Sequence, residues 1–323
     1  MLYAVIGIII GFVALIWSAD RFIAGAASLA FQWGMSKLLI GLTIVAFGTS
    51  APEILVSLFA TLDGAGDLAV GNALGSNITN VGLVLGVTAF VAAIPVTSKL
   101  IKAELPILIL VMAGTGVVLY DYDISLLNSL ALTAGLMAFL YYLYRQQQKG
   151  EIDESVGDED EIEELTSLSN RTAWLNFTGG LIILLVSANI LVESAVFIAT
   201  AMGISELIIG LTVVAVGTSL PELAASIASA KRGHHEIAFG NIIGSNIFNL
   251  LVVMAIPGFI NTEVVDAAVF TRDYLAMILI SGLWIVMMGI AVIRNKPFGK
   301  MAGFLLLASY GLYYFVLYQQ LYM

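Results

Sequence analysis

The chain has 323 residues, 60% hydrophobic and 11% charged, with a mean hydropathy of +0.99. Soluble domains carry about 25% charged residues, so this composition points to the lipid bilayer as solvent. The net charge of −10 names no basic partner: nine acids lie between Glu151 and Glu164 and the remainder sums to −1, the few scattered Lys and Arg give nucleic-acid binding no support, and the lack of Cys excludes disulfides and thiolate chemistry.

A spanning helix needs roughly 20 mostly apolar residues. In chain order the first group of such stretches is about 3–31, 37–62, 68–96, 103–120 and 124–145. The second group is about 173–200, 206–230, 236–260, 270–293 and 298–320. The first stretch lacks a basic n-region and a small-residue cleavage site, and it runs past Asp20 and Arg21 to Phe31. It reads as a first span, not a cleaved signal. Residues 146–172 are charged and nearly free of aromatics, as a solvated linker would be. The acids there lack the spacing of a calcium-binding EF-hand loop, which favours a tether over a calcium sensor.

The two groups are copies of one another. GMSKLLIGLTIVAFGTSAPE begins at Gly34 and GISELIIGLTVVAVGTSLPE at Gly203, an offset of 169. The same offset joins GNALGSNITN at Gly71 to GNIIGSNIFN at Gly240, and Ser18 to Ser187. Each copy holds an odd number of spans, so the second enters the membrane from the opposite side, about a pseudo-two-fold axis in the membrane plane. Charge bias points the same way. With the N-terminus outside, the cytoplasmic connections hold Lys37, Lys99, Lys102, Arg145, Lys149, Arg171, Lys231, Arg232, Arg294, Lys296 and Lys300. The outer connections hold Arg272, and Arg21 lies within the first helix. The expected fold is therefore an all-α integral membrane protein, ten transmembrane helices as two inverted five-helix repeats. Residues 1–145 form the first repeat, 146–172 an acidic cytoplasmic linker and 173–323 the second repeat, with both termini and the 62–68 loop outside.

Each copy contains G-T-S-x-P-E: Gly48, Thr49, Ser50, Pro52 and Glu53, then Gly217, Thr218, Ser219, Pro221 and Glu222. Proline removes a backbone donor and clashes with the carbonyl four residues earlier, here Gly48 and Gly217. The helix is expected to kink there and to free carbonyls of the preceding turn, including Ala46 and Ala215, beside the hydroxyls of Thr49 and Ser50. Unpaired carbonyls at membrane depth need protein or a water-filled cavity around them. Glu53 and Glu222 fall near mid-span, where insertion scales charge about 2.5–3.5 kcal/mol for an ionisable side chain. A neutral or salt-bridged structural carboxylate is the plainer reading, but the basic residues cluster at helix ends.

The second block supplies Ser76, Asn77 and Asn80, then Ser245, Asn246 and Asn249. Small-residue packing, with Ser and Asn as interhelical glue, explains part of it. Ser76 with Asn80, and Ser245 with Asn249, share a helix face at four-residue spacing, which favours lining an ion site. Carboxylates among hydroxyls, amides and carbonyls suit a hard cation such as calcium, and sodium can use a subset of the same groups. Nitrogen- or sulfur-seeking metals are disfavoured, because there is no Cys and His234 and His235 read as solvated loop residues. Asp20 and Arg21, aligned with Asn189 and Ile190, could gate, but pairing with each other or with water is the favoured expectation.

At these two blocks the chain resembles the cation/calcium exchanger superfamily, in particular its prokaryotic sodium/calcium antiporters, and the resemblance covers all ten spans. It implies that Glu53 and Glu222 are the calcium carboxylates and meet at one central site. It implies hydroxyl ligands at Thr49, Ser50, Ser76, Thr218, Ser219 and Ser245, sodium-binding carbonyls at Ala46 and Ala215, and a middle polar pair at Asn80 and Asn249. Many relatives, including the potassium-dependent branch, carry Asp where this chain has Asn249, which speaks against potassium co-transport. The implied activity is secondary antiport of calcium against sodium, with helices one and six sliding against the other eight, in a plasma membrane of prokaryotic inner-membrane type. The ions are cargo; no enzyme activity, cofactor or obligatory protein partner is implied. Three alternatives stand beside it. One is proton/calcium antiport through the same glutamates, and one is a channel. The third is an intramembrane aspartyl protease built on Gly64-Ala65-Gly66-Asp67, whose Asp67 is expected in the outer loop with no partner aspartate in a neighbouring span.

Overall fold

A computed structural model describes residues 2–96, 100–148, 168–203, 215–261 and 263–322. The acids of the 146–172 segment, the cations Lys99 and Lys149, and the start of the 206–230 stretch lie outside the described residues. In chain order the helices are α1 (Leu2–Gln32), α2 (Lys37–Thr49), α3 (Ala51–Leu62), α4 (Gly66–Val91), α5 (Leu100–Val118), α6 (Leu126–Gln148), α7 (Asn170–Ala201), α8 (Ala215–Thr218), α9 (Leu220–Lys231), α10 (His235–Ile260), α11 (Val269–Ile293) and α12 (Lys300–Tyr322). Among the described residues, eight helices are long and apolar enough to cross a membrane, and the bent pair α2 and α3 adds a ninth span. Helices α8 and α9 are the described part of the 206–230 stretch. The chain is an all-α integral membrane protein of two inverted five-helix repeats.

Helix ends follow local chemistry. Ser36 caps α2 through its hydroxyl, 3.1 Å from the Leu39 N–H, and Ser169 caps α7 at 3.2 Å from that of Thr172. The equivalent helices α1 and α7 both end on a glycine with positive φ, Gly34 at 62° and Gly203 at 77°, a conformation that costs glycine no Cβ clash. The third span stops at Val91, earlier than the apolar stretch suggests, because the chain turns extended at Ala92 and Ile94 pairs with Phe298. Asp123–Ile124 (β1) pairs antiparallel with Glu263–Val264 (β2).

The chain divides into two compact units, each drawing on both repeats: Met1–Pro52 with Leu140–Gly244, and Glu53–Phe139 with Ser245–Met323. In the first, α1 and α7 pack antiparallel. A Cβ on Gly25 would sit 2.4 Å from the Phe177 N, one on Gly11 3.3 Å from the Ser187 O, and one on Gly180 2.6 Å from the Phe22 N. Gly11 and Gly180 are equivalent under the 169-residue offset, so matching helices meet in opposite senses, as inversion requires. Around them Leu15, Phe22, Ile23, Ala26, Leu184, Ala188 and Ile237 form a buried apolar core. In the second unit α12 lies against the end of α4, where a Cβ on Gly86 would be 2.9 Å from Leu307 Cγ.

Candidate ion site

The G-T-S-x-P-E blocks break their helices rather than bend them smoothly. Helices α2 and α3 differ in direction by 44° across Ser50, whose φ and ψ are −81° and 7°. Ser219 does the same between α8 and α9 at −89° and 6°. Pro52 and Pro221 have no N–H to give Gly48 and Gly217. Ala46 corrects the sequence expectation: its carbonyl is not freed, but accepts from the Ser50 N–H at 3.0 Å and the Thr49 hydroxyl at 3.3 Å. The lost donor belongs to the carbonyl four residues before proline, two residues further on. In the second copy the Ser219 N–H turns to the Val216 carbonyl at 3.2 Å.

The breaks decide where the glutamates stand. Glu53 is the third residue of α3 and Glu222 the third of α9, helices of 12 residues each. Both side chains are 0% exposed. The first turn of a helix presents the positive end of its dipole, which favours a carboxylate by about 0.3–1 kcal/mol, and by up to about 2 where partly buried.

In the first unit, α10 meets α2 at glycines. A Cβ on Gly240 would lie 2.7 Å from the Leu38 O, and one on Gly244 2.5 Å from the Leu42 O. This close approach brings Asn241 to the break. Its Oδ1 accepts from the Thr49 hydroxyl at 3.1 Å, while its Nδ2 donates to the Glu222 carbonyl at 3.4 Å and to Ser226 Oγ at 3.0 Å. The Ser50 hydroxyl donates to Glu222 Oε1 at 3.0 Å.

The second unit repeats the pattern. Asn72 Nδ2 donates to the Glu53 carbonyl at 3.1 Å and to Ser57 Oγ at 2.9 Å, and the Ser76 hydroxyl lies 3.5 Å from Asn72 Oδ1. Asn80 opens a π-helical turn of α4, Asn80–Leu85, a distortion common at functional sites. Its Nδ2 donates to Asn246 Oδ1 at 3.3 Å, and Asn249 Nδ2 donates to Asn77 Oδ1 at 3.1 Å.

All the sequence-derived site side chains that are described are buried: Glu53, Glu222, Thr49, Thr218, Ser50, Ser219, Ser76, Ser245, Asn80, Asn249 and Ala46. Ala215 opens α8. Hydrogen bonds bring Ser50 to Glu222 and tie Asn80 and Asn249 to the neighbouring asparagines of the opposite copy. Four buried oxygens, Ser219 Oγ, Ser245 Oγ, Asn80 Oδ1 and Asn249 Oδ1, have no hydrogen-bond partner among the described residues. A stranded buried polar group costs about 1–3 kcal/mol, and a cation compensates oxygen acceptors of this kind. Among the described residues no three His, Asp or Glu converge.

Asn72, Asn241, Ser57 and Ser226 escaped the sequence reading. Their signal was present, because both pairs keep the 169-residue offset. Other expectations change. His234 is not a solvated loop residue but 1% exposed, where its N–H meets the Ser229 carbonyl at 2.9 Å. Burial, followed by the charges of Lys37, Arg232 and His235, lowers its pKa to about 4. Asp20 pairs with Arg232, Nε–Oδ1 2.6 Å and Nη2–Oδ2 2.8 Å, not with Arg21. Adjacent helical residues point apart, and Arg21 lies over the Trp17 ring instead. Asp67 is not in a loop but in the first turn of α4, where Oδ1 accepts from the Leu68 N–H.

Fold and site together define a membrane protein of inverted repeats with buried carboxylates and buried acceptor oxygens. The family described as sodium/calcium exchanger protein matches residues 3–145 and 172–319. A protein of Alkalimonas amylolytica, CaxA, named as a candidate antiporter, is 42% identical over 98% of this chain and 99% of its own. The sodium/calcium exchanger MaX1 of Methanosarcina acetivorans is 28% identical over 78% of this chain and 81% of its own. A solved structure of the sodium-calcium exchanger NCX_Mj, soaked with sodium and calcium, superposes with a TM-score of 0.80 at 31% identity, covering 97% of each chain. The chain belongs to the sodium/calcium exchanger protein family.

Proposed function

We propose that the chain exchanges calcium for sodium across its membrane by alternating access, with both ions as cargo and no resident cofactor. It is a transporter and not an enzyme, in keeping with its family. The observation that carries the ligand assignment is the pair of fully buried glutamates, each opening a helix at a proline break, accompanied by oxygens of Ser219, Ser245, Asn80 and Asn249 that have no hydrogen-bond partner among the described residues. In this reading Glu53 and Glu222 supply the charge, and the hydroxyls of Thr49, Ser50, Ser76, Thr218, Ser219 and Ser245 complete the calcium ligands. Asn80 and Asn249 are the middle polar pair of the set, and sodium also uses the carbonyl of Ala215. The set is all hard oxygen, which suits calcium's six to eight ligands.

Exchange requires that loaded states cross and the empty state does not. Two ionised glutamates without a cation are costly to occlude in a low-dielectric interior, and calcium or sodium removes that penalty. Inverted repeats provide two near-equivalent arrangements, one open to each side. The antiparallel pair α1 and α7 is the sliding element. The repeats 1–145 and 173–323 carry the two half-sets of ligands, joined by the acidic linker 146–172 on the cytoplasmic side. Both termini face outward, in a plasma membrane of prokaryotic inner-membrane type, with eleven of 13 basic residues on the inner connections in support.

Glu53→Gln and Glu222→Gln each remove one charge with little change of shape. Either is expected to abolish sodium-dependent calcium flux in proteoliposomes. Normal flux in either variant would sink the ligand assignment.

A further inference from the structure

Asn77 and Asn246 occupy equivalent points of the two repeats and are 1% exposed. Their hydrogen bonds cross. Asn249 Nδ2 donates to Asn77 Oδ1 at 3.1 Å, and Asn80 Nδ2 donates to Asn246 Oδ1 at 3.3 Å. Asn77 is held in turn, its Nδ2 donating to the Asn246 carbonyl at 3.2 Å and lying 3.6 Å from Met277 Sδ. The N–H ends of Asn80 and Asn249 are thereby committed, while the Oδ1 of each is buried without a donor among the described residues.

A primary amide has an acceptor end and a donor end of nearly the same size, so a half-turn about its last bond exchanges them. The two ends are opposite in effect on a cation: the oxygen attracts it and the N–H repels it. We infer that Asn77 and Asn246 are positioning residues that fix this half-turn, Asn77 for Asn249 and Asn246 for Asn80, so that a cation meets two amide oxygens and no N–H. The inference rests on the ion-site reading of Asn80 and Asn249 given above. It explains the residue type. Position 77 must accept from one amide and donate to a carbonyl from the same side chain, without adding charge; leucine does neither, and serine is too short to reach both.

The test measures the calcium and sodium concentrations for half-maximal exchange, and the maximal rate, for Asn77→Leu, Asn77→Ser and Asn77→Gln in proteoliposomes. Asn77→Leu and Asn77→Ser are expected to raise the half-saturating calcium concentration about 10-fold, the worth of about 1.4 kcal/mol, with the maximal rate changed far less. Asn77→Gln, assayed at the same pH, keeps an amide with one acceptor and one donor end and should return toward the unsubstituted value. Unchanged half-saturation in the Leu and Ser variants would overturn the inference, and so would a Gln variant no better than Leu. Failure of both Leu and Ser variants to fold would also count against it, because positioning predicts a folded protein that binds ions weakly. Glu222→Gln in the same vesicles separates the two levels. If it transports normally, the ion-site reading itself fails; if it is dead while Asn77→Leu is unaffected, only the positioning role fails.

Discussion

Glu53 and Glu222 are tolerated at membrane depth because the chain stops one helix and starts another just before each. Ser50 and Ser219 leave helical geometry, proline follows two residues later, and the carboxylate lands in a first turn whose dipole favours it. The sequence displays the glutamates, hydroxyls and prolines directly, because they recur in one register. It does not display which carbonyl stays paired, as Ala46 shows: backbone pairing depends on the exact residue at which the helix yields. It also conceals His234, since a single loop histidine gives no sign of the helices that close over it. Burial lowers that imidazole to about 4 from an ordinary 6.5. Between those values the unfolded chain binds a proton that the folded chain does not, so stability falls as pH drops through the window. Thermal unfolding in detergent at pH 7 and pH 4.5 should differ by about 2 kcal/mol. His234→Phe should flatten that difference, and an unchanged pH slope in the variant would refute the account.

Between elements, closeness of backbones is the controlling variable. Helices α2 and α10 touch at Gly240 and Gly244, and that contact delivers Asn241 to Thr49. Gly244→Ala would place a methyl 2.5 Å from the Leu42 carbonyl and 2.6 Å from Ala46 Cβ, forcing the helices apart. Overpacking of this kind costs about 1–3 kcal/mol. The expected outcome is a lower melting temperature together with at least a 10-fold loss of sodium-driven calcium uptake. Gly179→Ala on α7 is the control. A Cβ there meets nothing within 4 Å among the described residues, and replacing a mid-helix glycine gains about 0.5–1 kcal/mol. Equal effects of the two substitutions would remove the close-approach argument. Spacing made the spans legible; crossing points were legible only as glycines whose role, packing or function, stayed open. The Asp20–Arg232 pair was beyond reach, because it joins residues 212 apart that keep no repeat relation. Its side chains are partly exposed, and its contribution is about 1 kcal/mol or less.

Across the whole chain, duplication and compactness divide the residues differently. The repeats are halves of the sequence, and each compact unit takes segments from both. A 169-residue offset revealed the duplication and, with an odd number of spans, its inversion; the antiparallel pairing of α1 and α7 agrees with both. Which segments pack together was not legible, because helix pairing in a membrane follows small-residue contacts spread over distant positions. The central claim is that sodium drives calcium through a site of two carboxylates. Its most direct measurement is calcium uptake into sodium-loaded proteoliposomes diluted into sodium-free medium, at equal pH on both sides and with potassium varied separately. The account predicts uptake that follows the sodium gradient, is indifferent to potassium and disappears in Glu53→Gln and Glu222→Gln. Uptake driven by a pH step without sodium, or sodium-driven uptake surviving in those variants, would contradict it.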